Sequence, residues 1–218
     1  MRIFLFLLLL IGFALNGYGQ GYFLFQANKN SVWDNLYNVA PAASAGTLNI
    51  GFMWAPVGSP NPQVIILTGE GNVGSPTNSP ASTTINPWSL MMNDTNYHWA
   101  MNGSTIVVTP SLAGVSLGGW SYNSGTVFPV NGTSGGNYML MAVAWDSAYA
   151  DPFIAAVNGS AVGWSQAFNY PAGSSLTDIP ISFSGAGMKP FGVIIPEPST
   201  LAMAGISAVG LALYRRRS

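Results

Sequence analysis

The sequence predicts an all-β domain, a β-sandwich or jelly roll, carried between an N-terminal signal helix and a C-terminal transmembrane helix. Three observations predict it. Short apolar runs recur between clusters of Asn, Gly, Ser and Pro, the pattern of many strands joined by tight turns. The interior lacks the 3.6-residue apolar period of long amphipathic helices. A hydrophobic content of 49% with 12% aromatics supplies ample apolar surface to bury, which argues against disorder despite 26 Gly and 15 Pro.

The strands follow in chain order. The first apolar run is 22–25. Leu48, Ile50, Phe52 and Trp54 then alternate with Asn49, Gly51 and Met53, the period-two signature of a half-buried strand. Runs at 64–67 and 106–109 come next, then a short one at Val127 and Phe128. The run 138–145 is the longest in the interior and does not alternate, so it reads as a central strand covered on both faces. Runs at 153–157, 161–168 and 179–183 complete the set, and 88–92 is the one place for a short helix. Asn102-Gly103, Asn131-Gly132 and Asn158-Gly159 are strong turn signals, because both residue types tolerate positive φ. These three asparagines and Asn93 also fit the N-x-[ST] acceptor pattern, but the turn reading is preferred. There is no clear internal repeat and no second domain.

Charge bounds the function. Only 6% of the 218 residues are charged, against about 25% in an ordinary soluble domain. Between the two ends the bases are Lys29 and Lys189, and the acids are Asp34, Glu70, Asp94, Asp146, Asp151 and Asp178. No basic patch exists to neutralise phosphates, which excludes nucleic acid as a partner. Cysteine is absent, which removes thiol catalysis, iron–sulfur clusters and thiolate zinc sites.

Both ends read as targeting segments. Arg2 precedes an apolar run over 3–15, the length of a signal-peptide core, and Gly17 and Gly19 supply small residues for signal peptidase. Cleavage is expected between Gly19 and Gln20, so the signal peptide is 1–19, the β domain 20–192 and the tail 193–218. In the tail, Pro196, Glu197 and Pro198 precede an apolar run over 201–214, and Arg215, Arg216 and Arg217 end it. The prolines hold the chain extended ahead of the run. The run itself spans roughly 21 Å as a helix, short of the ~30 Å hydrocarbon core, and the arginines keep its end cytoplasmic. Ala202, Ala204, Gly205, Ser207, Ala208 and Gly210 give it a small-residue face that another membrane helix can approach closely.

The tripeptide, the small-faced apolar run and the arginine cluster together resemble the PEP-CTERM sorting signal, a tail also labelled the ice-binding protein C-terminal domain. The resemblance implies recognition by exosortase, a membrane-embedded cysteine-protease-like sorting enzyme of Gram-negative bacteria that make exopolysaccharide. It implies no ice-binding activity, and the interior has no regular Thr-x-Thr ladder. A second stretch, Ala144-Trp145-Asp146 with Gly163 to Phe168, is similar to exported β proteins of the Verrucomicrobia and adds support for fold and lineage only.

Candidate chemistry is sparse. His98 is the single histidine, but Tyr97 and Trp99 beside it suggest a packed strand, and there is no G-x-S-x-G elbow. Asp146 and Asp151 bracket a loop with the donors for Ca²⁺, though capping of strand ends accounts for them better. Paired carboxylates for a glycosidase would come from Glu70, Asp94, Asp146, Asp151 and Asp178, none of them in a recognisable motif. Trp120 and Tyr122, in the turn-like stretch 118–125, are the candidate glycan contacts, since flat aromatic faces stack on sugar C–H groups. Burial in the core is the simpler reading of each tryptophan. The expected function is therefore an exported surface or matrix protein without catalytic activity, cofactor or metal. Its partners are signal peptidase, exosortase, the inner membrane in transit and exopolysaccharide. A carbohydrate-binding module or adhesin is the alternative, and a glycan-acting hydrolase the third reading.

Overall fold

The central strand expected at 138–145 is the axis of the molecule. The computed structural model describes residues 20–34, 40–41, 48–63, 65, 91–112, 116–158, 160 and 162–193. The chain runs through β1 (Gly21–Phe23), β2 (Gln26–Ala27), β3 (Val32–Asp34), β4 (Ala40–Pro41), β5 (Leu48–Pro56), β6 (His98–Trp99), β7 (Met101–Asn102) and β8 (Thr105–Ile106). It continues through β9 (Val108–Pro110), β10 (Trp120–Ser121), β11 (Phe128–Val130), β12 (Gly136–Asp146), the helix α1 (Pro152–Val157), β13 (Val162–Trp164), β14 (Phe168–Ala172) and β15 (Phe191–Val193). The domain is all-β with a few short helical pieces. The expected signal helix and transmembrane helix fall on residues 1–19 and 194–218, outside the described residues. Among the described residues no helix is long and apolar enough to cross a membrane.

β5 and β12 pair antiparallel from Leu48 opposite Asp146 to Pro56 opposite Tyr138. β13 and β14 flank β12, while β6 and β9 flank β5, giving a six-stranded sheet. Strand side chains alternate between faces. Ile50, Phe52, Trp54, Leu140, Ala142, Phe168 and Tyr170 therefore enter the front cluster. Met53, Ala55, Met141, Val143, Trp145 and Trp164 enter the back cluster. β12 is covered on both faces, as its unbroken apolar run predicts. β5 departs from the half-buried expectation, because Met53 and Ala55 are as buried as their neighbours. Gly51 lies between the indoles of Trp145 and Trp99, where a Cβ would stand 3.3 Å from each.

The front cover is a second β layer made of short pieces rather than one sheet: β1 with β11, β2 with β10, and β15 with β3 and β4. Its aromatic rings interlock with the central sheet. Phe25 lies 4.9 Å from Phe52 and 5.0 Å from Phe183, and Phe23 stacks on Tyr170 at 5.3 Å. Such pairs are each worth about 0.5–1.5 kcal/mol beyond area burial.

The back cover includes α1, which corrects the strand expected at 153–157. Asp151 accepts from the Ile154 amide at 2.8 Å as N-cap, and Pro152 opens the helix, where its missing N–H is no loss. The strand expected at 64–67 is corrected in the same way: Gln63 and Ile65 are helical, with Val64, Ile66 and Leu67 outside the described residues. Met91 and Met92 are helical, as expected for 88–92, of which 88–90 lie outside. The strand expected at 179–183 is absent, since Pro180 offers no N–H for a ladder and the segment ends in turns. The Asn102 and Asn131 turns form as read, with Gly103 at φ 64° and Gly132 at φ 78°. The two turns are tied together, because Asn131 donates through Nδ2 to the Gly103 carbonyl and accepts from the Gly103 amide at 3.3 Å.

β15 crosses in front of β13 with no space between backbones. A Cβ on Gly163 would lie 2.1 Å from the Gly192 carbonyl oxygen and 2.9 Å from the Val193 Cα. Gly163→Ala is therefore expected to cost at least about 2 kcal/mol by overpacking. Gly103→Ala, with nothing within 4 Å of its Cβ, should lose only the backbone strain of a positive φ, about 1–2 kcal/mol. Urea midpoints of the two variants check this; equal midpoints would contradict the close crossing.

Candidate functional site

The described residues at the two ends, Gln20 and Val193, stand next in sequence to the two expected processing segments. At the N-terminus Gln20 is exposed, and the next residue, Gly21, is buried and donates its amide to the Thr133 carbonyl at 3.1 Å. At the C-terminus β15 pairs in parallel with β3, placing Val193 opposite Asp34. Phe191 is fully buried and its amide donates to the Ser31 carbonyl at 3.0 Å. Val193, the last residue of β15, is buried as well. Pro196, Glu197 and Pro198, and Arg215, Arg216 and Arg217, lie outside the described residues.

The candidate glycan contacts face inward. Trp120 is fully buried, 5.8 Å from Phe25 and 6.3 Å from Phe191, so it offers no ring face to a sugar. The turn-like stretch brings it inside because Gly119 presses against the Ala27 carbonyl, which a Cβ would meet at 2.8 Å. Tyr122 is half-buried, with its ring edge-on to Phe128 at 4.5 Å. Trp54, Trp145 and Trp164 are core residues. Trp33 and Trp99 are half-buried, and Trp88 is outside the described residues. No coplanar row of exposed aromatics occurs among the described residues.

The described acids that are candidates for catalysis or Ca²⁺ binding serve the backbone. Asp94 accepts from Gln63 and Asn96 amides at 2.8 Å and from Tyr97 at 3.1 Å, closing the loop that returns the chain to the back face. Asp146 accepts from the Ala148 amide and the Ser160 hydroxyl, and Asp151 caps α1. Asp178 accepts from the amide and hydroxyl of Ser174, which hold its carboxyl below the usual carboxylate range. Glu70 lies outside the described residues. His98 is exposed, its ring 5.2 Å from Trp54, with no acid among its described partners. No group of three or more His, Cys, Asp or Glu with metal-ligand placement occurs among the described residues. Asn158 donates to the Ile154 carbonyl at 2.8 Å and so closes the end of α1, in keeping with its turn reading.

Sequence reasoning missed a surface. α1 turns Phe153, Ile154 and Val157 outward, at 37%, 40% and 64% exposure. Beside it a shallow apolar notch is lined by Met92, Trp99, Ile106, Trp145 and Pro152. The Asp151-Pro152 pair was the signal that could have found the helix, and with it this face.

Against known proteins, residues 195–217 match the PEP-CTERM protein-sorting motif. The chain carries this motif, which marks it as an exported protein handled by exosortase. The match begins two residues after the buried end of β15. No curated protein and no solved structure was found to be similar to the chain.

Two buried tyrosines give the core a test. Burial first, and the Asp94 charge second, push the Tyr97 phenol up to about 12, and its hydroxyl has no hydrogen-bond partner among the described residues. Burial also raises Tyr170, whose oxygen accepts from the Leu24 amide at 2.8 Å. A phenol raised in the folded state contributes stability that is present below its unfolded value of 10.0 and lost as pH climbs through about 12. Tyr97→Phe should therefore be neutral or stabilising at pH 7 and flatten the alkaline loss. Tyr170→Phe should cost about 1–3 kcal/mol by orphaning the Leu24 amide. Urea titrations at pH 7 and at rising alkaline pH check both.

Proposed function

We propose that this is a surface or extracellular-matrix protein without catalytic activity, delivered to the outside of a Gram-negative cell through exosortase. The observation that carries the reading is the match of residues 195–217 to the sorting motif, directly after the last strand of a folded β domain. The tail enters the inner membrane through 201–214, is gripped at Pro196, Glu197 and Pro198, and is cut free there. Signal peptidase acts at the other end, after Gly19.

The non-catalytic part of the reading draws on how the described polar groups are used. Asp94, Asp146, Asp151 and Asp178 each accept backbone amides, which fixes loops and caps and leaves no pair of carboxylates aimed at a shared cleft. The adhesin reading draws less support, since Trp120 is inside the core. Exopolysaccharide remains the matrix into which such a protein is delivered.

Replacing Pro196, Glu197 and Pro198 by alanines lets the apolar helix extend upward and removes the recognition element. In a host with exosortase the variant is expected to stay in the inner membrane at full length. The wild type should lose Arg215 to Arg217 and move to the surface or the medium. Mass spectrometry of membrane and released fractions decides it; a wild type that keeps its arginines, or a variant processed like wild type, would overturn the proposal.

A further inference from the structure

The turns at Asn102-Gly103 and Asn131-Gly132 are built from the same dipeptide, and the fold treats them differently. In an Asn-Gly pair the glycine nitrogen can close a succinimide ring on the asparagine Cγ, because the glycine has no side chain to block the approach. Two conditions govern that closure. The carboxamide must be free to turn toward the nitrogen, and the N–H must be free to lose its proton.

Asn102 meets the first condition. It is exposed, as are Gly103, Ser104 and Thr105 after it. Its carboxamide has no partner among the described residues. Gly103 stands at φ 64° with nothing within 4 Å of where a Cβ would be, so water and hydroxide reach the junction from outside. Asn131 is half-buried, and both ends of its carboxamide are held by the other turn. Nδ2 donates to the Gly103 carbonyl, and Oδ1 accepts from the Gly103 amide at 3.3 Å. Turning Cγ toward Gly132 would break both bonds. Its main-chain amide donates to the Met101 carbonyl at 2.9 Å, and Gly132 lies against Trp54, where a Cβ would stand 3.3 Å from the indole.

The same clamp reaches Asn102 indirectly. The nitrogen that would attack Asn102 is that of Gly103, and its N–H is the one Asn131 Oδ1 holds. At 3.3 Å the bond is longer than the usual N–H···O contact, so it slows proton loss without preventing it. In the remaining pair, Asn158-Gly159, the glycine lies outside the described residues.

We propose that Asn102 is a site of spontaneous covalent modification, converting to aspartate and isoaspartate, and that the Asn131 carboxamide sets its rate. Hydroxide takes the Gly103 amide proton, and the nitrogen attacks Asn102 Cγ. The Cγ–Nδ2 bond then breaks, and Nδ2 leaves as ammonia with a proton from water, which restores the hydroxide. A water molecule opens the ring. Cleavage between the nitrogen and Cγ gives aspartate, and cleavage between the nitrogen and the main-chain carbonyl carbon gives isoaspartate. The sum is an amide and water exchanged for a carboxylate and ammonium, with nothing oxidised or reduced. Isoaspartate adds a methylene to the main chain of β7 opposite Thr105. That ribbon of β7 and β8 stands outside the six-stranded sheet, so the product is a folded protein with an altered hairpin.

Full-length protein is held in mildly alkaline buffer, folded or in urea, and the peptides carrying Asn102 and Asn131 are followed by mass spectrometry. Isoaspartyl methyltransferase counts the isoaspartate. In folded protein Asn102 should convert several-fold faster than Asn131. In urea the two rates should converge, since Asn-Gly-Ser and Asn-Gly-Thr are nearly alike. Asn131→Ala removes the acceptor and should raise the folded-state rate at 102 several-fold. Asn131→Asp keeps an oxygen for the Gly103 amide and should hold that rate at or below wild type, which separates the hydrogen bond from a general loosening of the turn. Four results would each overturn the proposal: no conversion at 102 in folded protein that converts in urea; a folded-state rate at 131 equal to or above that at 102; an Asn131→Ala protein that converts at the wild-type rate; or an Asn131→Asp protein that converts as fast as Asn131→Ala.

Discussion

The antiparallel pairing of β5 with β12 is the constraint on which the rest of the molecule depends. From Leu48 opposite Asp146 to Pro56 opposite Tyr138 it forms the longest ladder among the described residues, and both of its faces are apolar. A two-strand ribbon of this kind cannot stand in water, because each face exposes large side chains worth about 1.5–3 kcal/mol apiece when buried. Four strands flank this pair in its sheet, and two covers close the faces of that sheet. In front lie three small sheets and the turn that carries Phe183; behind lie α1, the helical turn at Met91 and the segment around Ile65.

The front cover works although its strands are only two or three residues long. Such strands bring few ladder hydrogen bonds, so side-chain packing holds them. Phe25 touches Phe52, Trp120, Tyr122 and Phe183 at ring distances from 4.9 to 6.3 Å, and Tyr170 reaches across to hold the Leu24 amide. Glycine appears where two backbones must meet. Gly163 lies under Gly192, Gly119 against Ala27 and Gly21 against Ser134, each too close for a Cβ. The sparse charge has the same logic. With few ionic groups to solvate the loops, Asp94, Asp146, Asp151 and Asp178 are used one by one to accept the backbone amides that tight turns leave open.

How much of this is legible in the sequence depends on the range of the interaction that decides it. The two-sided burial of β12 is written locally, as an apolar run without alternation, and the Asn-Gly turns are written in two residues. α1 and the helical residues Gln63 and Ile65 resist reading because short apolar runs look alike in helix and strand. Only the Asp151-Pro152 start distinguishes α1, and it outweighs the strand propensity of Ile154 and Val157. The run at 179–183 fails because Pro180 interrupts it. Trp120 lies in the core, the simpler reading of every tryptophan, but what draws it there is not written locally. Gly118 and Gly119 look like an exposed turn, but Gly119 serves a backbone contact with Ala27, far away in sequence, which draws Trp120 into the core. The second face of β5 is equally non-local, since Met53 and Ala55 are covered by segments that follow much later. The sorting tail was legible for the opposite reason: tripeptide, apolar run and arginines act in linear order, and no tertiary contact is needed to recognise them.

The junction between domain and tail joins these two kinds of information. β15 is held by β3 on one side and by the Gly163 crossing on the other, so residue 193 is fixed by the domain's core. Pro196 follows after two residues, and proline resists both helix and ladder. The sequence therefore leaves no more than two residues between the buried end of β15 and the tripeptide of the sorting motif. A longer linker would let the domain wander and would leave the tripeptide one exposed site among many. The short one ties the motif in sequence to a strand that the domain's core holds fixed.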